Sequence, residues 1–286
     1  MCRVTSMASL LLLILVSVGC AHQKTHIKSS VVEYLYPKSE DTFVLPSVPH
    51  LKLPLKVGVA FVPEGRAGDN SWNIWSGRSA ERRMTEANKT DLLVKISDNF
   101  RQLDFVSGIE VIPTAYLTPG GSFANLEQIK TMYGIDVIAL VSYDQVQFTD
   151  EGFLSLSYWT VVGAYIVSGE KNDTNTLMDT VVYDISSKKM LFRAPGTSRV
   201  TGNSTPVNLS AELRADSIRG FDESAAKMVE NLQSELVNFK QSIKNNPSAA
   251  KVTHREGYSG GGGAIGAIDL ALFSLLLLFV GWRKYY

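Results

Sequence analysis

Tyr133-Gly134-Ile135-Asp136-Val137-Ile138-Ala139-Leu140-Val141-Ser142-Tyr143 is the most apolar segment in the middle of this chain. A short apolar run opened by a glycine reads as a buried strand, because it is too brief for a helix and Gly134 stops whatever precedes it. It is the predicted centre of a sheet. Residues 56–62, ended by Pro63, and residues 109–112, ended by Pro113, are predicted strands of the same kind. Between them Leu92, Leu93, Ile96, Phe100 and Leu103 fall at three- and four-residue spacing, which predicts a helix within 80–103 with one apolar face. Pro119-Gly120-Gly121 predicts a turn, and Ser122 the cap of a helix running to Tyr133.

Downstream, strands are predicted over 153–167, 175–184 and 189–194, with 184–188 as the turn between the last two. Ser210 is expected to open a final helix carrying Phe221, Ala225, Met228, Val229, Leu232, Leu236 and Phe239 on one side. The order β-α-β-α-β, then an antiparallel meander and a closing helix, predicts the α/β class: a mixed sheet with packed helices over residues 55–242.

Composition narrows the function. The 286 residues carry 28 Lys+Arg against 28 Asp+Glu, so formal charge is zero. Nucleic-acid binding needs clustered basic charge, and such a partner is not expected. Cysteine occurs only at Cys2 and Cys20. Cleavage after an export signal would leave Cys20 alone at the head of the chain, with no internal disulfide and no thiolate zinc site.

The two ends carry the clearest patterns. Arg3, an apolar stretch over 7–18 and Gly19-Cys20 have the layout of an export signal, so 1–19 is assigned to a signal peptide. Residues 20–54, with Pro37, Pro46, Pro49 and Pro54, read as a polar tether. At the other end 243–263 reads as a polar, glycine-rich linker, and 264–286 as a transmembrane sorting tail. Taken as a helix at about 1.5 Å per residue, 264–282 reaches on the order of 28 Å, enough for a thin bilayer core. Arg283 and Lys284 favour the cytoplasmic side, and Trp282, Tyr285 and Tyr286 suit the interface. That orientation leaves Gly263 outside, where the export signal would deliver the domain.

Gly260, Gly261, Gly262, Gly263 and Gly266 make the outer end of the tail a poor helix, at about 1 kcal/mol per glycine relative to alanine. Asp269 is tolerable only near that boundary. An intramembrane protease needs such an opening, because a closed helix hides its peptide bonds.

Val18-Gly19-Cys20 resembles the lipobox of bacterial lipoproteins, which implies a diacylglycerol on the Cys20 thiol. Ser17 departs from the residue usual at that place; Ala21, following the cysteine, implies outer-membrane delivery. The glycine run, apolar span and basic end resemble the GlyGly-CTERM sorting signal, which rhombosortase, a rhomboid-family protease, cuts. Together the ends resemble the rhombotarget lipoprotein family. The resemblance implies processing near Gly260–Gly263 and Ala264, and partners that include that protease, lipoprotein-processing enzymes, membrane lipid and an envelope protein. Two alternatives stay open: an uncleaved, doubly anchored scaffold, and a GPI-type signal with sequons at Asn88, Asn172, Asn203 and Asn208. The strand–helix order and the Tyr133–Val137 entry resemble small periplasmic α/β domains, such as the amino-terminal domain of the Tol-system β-propeller protein and the curli-secretion lipoprotein.

Catalytic patterns are missing from the sequence. His22, His26, His50 and His254 all fall in the segments assigned to tether and linker, so neither a Ser-His-Asp site nor a histidine metal site is expected. No phosphate-binding loop is present, because Gly120-Gly121 lacks the Lys-Ser/Thr finish. Asp136, Asp144 and Asp150 are read as strand-end turn formers. Trp72 and Trp75, with Arg66 and Arg78 in the same loop, form a candidate recognition surface, with capping of the sheet's open end as the alternative. No cofactor, metal or enzyme activity is expected, and the domain is read as one of binding or interaction type.

Overall fold

A computed structural model describes residues 23–37, 45–64, 84–151, 170–204 and 208–258. β5 (Val137–Glu151) lies at the heart of a sheet ordered β4-β3-β5-β6-β7. β3 (Leu55–Phe61) pairs parallel to both β4 (Val106–Val111) and the first half of β5. β6 (Glu170–Asp184) and β7 (Lys189–Ser204) continue antiparallel. The expected α/β class and mixed sheet are therefore present.

Alternation along the strands builds a core on each face of the sheet. Ile138 and Leu140 of β5, with Ala60 and Val62, pack on α1 (Val31–Leu35) and α3 (Ser122–Tyr133). Val141 and Tyr143, with Val59 and Phe61, pack on α2 (Glu86–Asp98) and α4 (Leu209–Asn245). Thr85 caps α2 by accepting from the Asn88 amide at 3.2 Å. Gly134 closes α3 at φ 64, a left-handed cap that favours glycine.

Several boundaries differ from expectation. The segment read as a tether contributes β1 (Gln23–Lys28), α1 and β2 (His50–Leu53). β1 pairs antiparallel with the second half of β5, Gln23 opposite Thr149 and Lys28 opposite Asp144. Within the segment read as a linker, α4 continues to Asn245 and β8 (Lys251–His254) follows, pairing parallel with β2. These strands are short and carry one or two apolar residues each, too few for a run to read. α2 opens at Glu86, and β7 runs on to Ser204. Gly121, not Ser122, occupies the cap position of α3; the loop before it is fastened by Asn125, whose Oδ1 accepts from the Thr118 amide (2.9 Å) and the Tyr34 hydroxyl (2.8 Å). The strand predicted over 153–167 lies outside the described residues.

The chain enters and leaves this body at opposite ends. Gln23 sits beside Thr149, while Arg255, just past β8, pairs with Asp136 at the start of β5. Those ends are about 40 Å apart at roughly 3.3 Å per strand residue. Among the described residues, no helix is long and apolar enough to cross a membrane.

Beyond the edge of β3, the sheet meets α4 through a buried polar seam. Gln145 Nε2 donates to Thr176 Oγ1 (2.8 Å) and to the Ser217 carbonyl (3.1 Å). Gln147 Nε2 donates to Thr174 Oγ1 (3.0 Å) and to the Leu213 carbonyl (2.8 Å). Each glutamine thereby ties a neighbouring strand to the helix, using the second lone pair of a helical carbonyl. Gln147→Leu is expected to destabilise the fold by about 1–3 kcal/mol, because removing one partner strands the others away from water. Denaturant unfolding monitored by circular dichroism checks this.

Asp216 lies at the same interface, its side chain 3% exposed and its nearest cation Arg219 Nη1 at 3.8 Å. Burial raises its carboxyl above the ordinary range, Arg219 opposing the shift. A raised folded-state value means the native state binds the proton more tightly than the unfolded chain does. This group therefore adds stability as pH falls from neutrality toward the ordinary carboxylate range near 4. Asp216→Asn should flatten that part of the stability–pH curve, measured by urea midpoints across the interval.

Candidate functional site

Leu232, Leu236, Phe239 and Ile243 recur at steps of four, three and four along the last turns of α4, a single apolar face. Between that face and the sheet lies a cavity of about 610 Å³. Val57 of β3, Val137 and Ala139 of β5 and Val182 of β6 form its floor. Ile96 and Phe100 close one side, and Leu51, Leu53 and Val252 close the β2–β8 end. A register shift in the β6–β7 pairing sets Phe192 opposite Val182 and Met190 opposite Tyr183, so Leu191 is an extra residue. The bulge lets both Leu191 and Phe192 line the cavity.

The cavity has a geometrical cause. Neighbouring strands rotate by roughly 20–25°, whereas α4 runs on for about 55 Å. At its amino-terminal half the helix is seated tightly: a Cβ at Gly196 would lie 2.1 Å from the Ser224 carbonyl oxygen, and one at Gly220 would lie 2.5 Å from Thr176 Oγ1. A helix held that closely at one end parts from the twisting sheet at the other. The large side chains over 232–243 only partly bridge the gap, with the Phe192 and Phe239 rings 5.4 Å apart.

Polar groups in the wall are few and asymmetric. Ser97 Oγ is buried and has no hydrogen-bond partner among the described residues. Thr180 Oγ1 donates to Met228 Sδ at 3.0 Å. Lys240, Lys244 and His254 contribute charge or polarity, and no aspartate or glutamate lines the cavity. Lys240 Nζ stands over the Phe105 ring, 4.1 Å from its centre. An apolar wall with little convergent polarity matches apolar surface, and with no carboxylate in the lining it presents no paired acid and base. Among the described residues no cluster of three histidine, cysteine or acidic side chains is placed to hold a metal.

The expectation that no histidine is set in the fold is corrected. His26 on β1 lies 2.8 Å from Asp144 Oδ1, His50 on β2 lies 2.9 Å from Thr253 Oγ1, and His254 lines the cavity. Their strands are too short to carry a readable apolar run. Asp136 does more than form a turn: Oδ2 accepts from the Lys56 amide (2.8 Å), and both oxygens accept from Arg255 Nη2 (2.7 and 2.8 Å). This contact fastens β8, and with it one end of the cavity, to the sheet. Cys20, Trp72, Trp75, Gly260–Gly263, Ala264, Arg283 and Lys284 lie outside the described residues, as do His22, Arg66 and Arg78. The cavity itself went unread, although the stripe from Leu232 to Phe239 is a visible signal for one wall.

No protein-family model matches the chain, and no curated protein matches it. Among solved structures, it is similar to a neuraminyllactose-binding hemagglutinin homolog from Helicobacter pylori. That likeness covers 70% of this chain and 95% of the other, at 8% identity and a TM-score of 0.36. Lipoprotein GNA1162 from Neisseria meningitidis aligns over 60% of this chain and 100% of its own, with 13% identity and a TM-score of 0.27. A PelC dodecamer from Paraburkholderia phytofirmans aligns over 70% and 99%, with 13% identity and a TM-score of 0.22.

Proposed function

We propose that this chain is a lipoprotein of the bacterial cell envelope whose domain works by binding, not catalysis. Cys20 takes the lipid. The tail over 264–286 holds the precursor in the inner membrane until a rhomboid-family protease cuts near Gly260–Ala264. The observation that carries the binding role is the cavity of about 610 Å³ under α4, within the span of about 300–1,000 Å³ usual for small-molecule sites. The paired patterns at the two chain ends, which agree with each other in topology, support the address and the processing.

Intact mass of the mature protein recovered from cells tests this reading. The expected species begins at an acylated Cys20 and lacks everything beyond the glycine run. Recovery of an unacylated chain that still carries Trp282–Tyr286 would overturn it, and an acylated chain with its tail retained favours the permanently bridged scaffold.

A further inference from the structure

We infer that the cavity under α4 receives one acyl chain of an anionic amphiphile, its head group held by Lys240 and Lys244. This rests on the binding reading above and specifies the ligand. The lining residues of α4 run from Leu232 to Lys244, about 18 Å at 1.5 Å per residue. A largely apolar space of about 610 Å³ beside that length of helix has room for a single hydrocarbon chain.

Charge then selects the head group. Lys240 and Lys244 are one helical turn apart and exposed, on the α4 segment that walls the slot. Among the described residues neither forms an ion pair; Lys240 rests over the Phe105 ring instead. With no carboxylate in the lining, nothing there competes for these ammonium groups. Two unneutralised cations beside a long apolar slot match a carboxylate or phosphate carried by a chain that fills it. Carboxylate and phosphate head groups share this chemistry, so a free fatty acid and an anionic phospholipid are its two sources.

Photocrosslinking on the full chain in phosphatidylcholine nanodiscs tests the proposal. Three probes each carry a mid-chain diazirine: palmitate, phosphatidylglycerol and, as the zwitterionic counterpart, phosphatidylcholine. Palmitate or phosphatidylglycerol should give adducts on peptides covering 96–106 and 232–244, and whichever labels more strongly names the source. Lys240→Glu with Lys244→Glu should lower that labelling about tenfold. Leu236→Trp, which fills the slot, should abolish it without lowering the melting temperature; Ala139→Leu repeats that test from the floor should the tryptophan unfold the chain.

Adducts confined to 264–282, or labelling indifferent to both the charge reversal and the filling variants, would overturn the proposal. Equal cavity labelling by phosphatidylcholine would sink the anionic ligand while leaving a binding domain intact. No cavity adduct from any probe, with Leu236→Trp simply raising the melting temperature, would sink the binding reading as well.

Discussion

Gly196→Ala is expected to cost about 3 kcal/mol or more, at the upper end of what overpacking usually does and a large share of the roughly 5–15 kcal/mol that holds a domain folded. The added methyl would stand 2.1 Å from the Ser224 carbonyl oxygen, 2.5 Å from the Met228 amide nitrogen and 2.8 Å from Met228 Cβ. Two of those three atoms are helix backbone, which cannot swing aside as a side chain does. Relief requires α4 to lift from β7, which would strain the adjoining seam around Gln145 and Gln147. Gly108 on β4 is the matched control, because a Cβ there meets nothing within 4 Å. Gly108→Ala should be neutral or stabilise by up to about 1 kcal/mol through the unfolded state. Urea midpoints of the two variants against the parent settle the contrast; similar midpoints for both would mean that α4 is not seated as closely as these distances require.

Replacing Gly260–Gly263 by four leucines is expected to leave the precursor uncut. Leucine is favoured over glycine by somewhat under 1 kcal/mol per helical position, so four exchanges bias the segment toward a closed helix by about 3 kcal/mol. An intramembrane protease then meets hidden peptide bonds and side chains too large for a narrow site. Four alanines separate the two causes, since alanine is small yet the strongest helix former. If opening governs processing, the alanine variant is also retained at full mass; if size governs, it is cut normally. Normal cutting of the leucine variant would exclude both. Immunoblots of cell membranes, with intact mass on the purified chains, give the answer.

The centre of the fold was legible in the sequence because it is built from residues with a strong local preference. The run 135–143, the stops at Pro63 and Pro113, and the left-handed Gly134 all act locally, and each marks an element that is present. β1, β2 and β8 were not legible. Gln23-Lys24-Thr25-His26-Ile27-Lys28 has one apolar residue, and its place beside β5 is fixed by backbone hydrogen bonds that no side-chain pattern announces. The same blindness misplaced His26, His50 and His254. α4 was half legible. Its apolar stripe reads alike whether it packs on a sheet or walls a cavity. What distinguishes the two is the change from Ser217, Gly220 and Ser224 to Leu236, Phe239 and Ile243, combined with the twist of a sheet assembled from distant segments. Depth is a property of the assembled fold, and a one-dimensional pattern does not carry it.

The opposite exits of the chain have a mechanical consequence for the proposed precursor. Two residues separate Gln23 from Cys20, and residues 259–263 separate Tyr258 from the tail, so neither leash is long. Pinned by lipid at one extremity and by a spanning tail at the other, a body whose two exits stand about 40 Å apart must recline along the bilayer. Severing the tail leaves a single pivot. The domain can then stand upright like a drawbridge, carrying the β2–β8 end from the lipid surface out into the aqueous space.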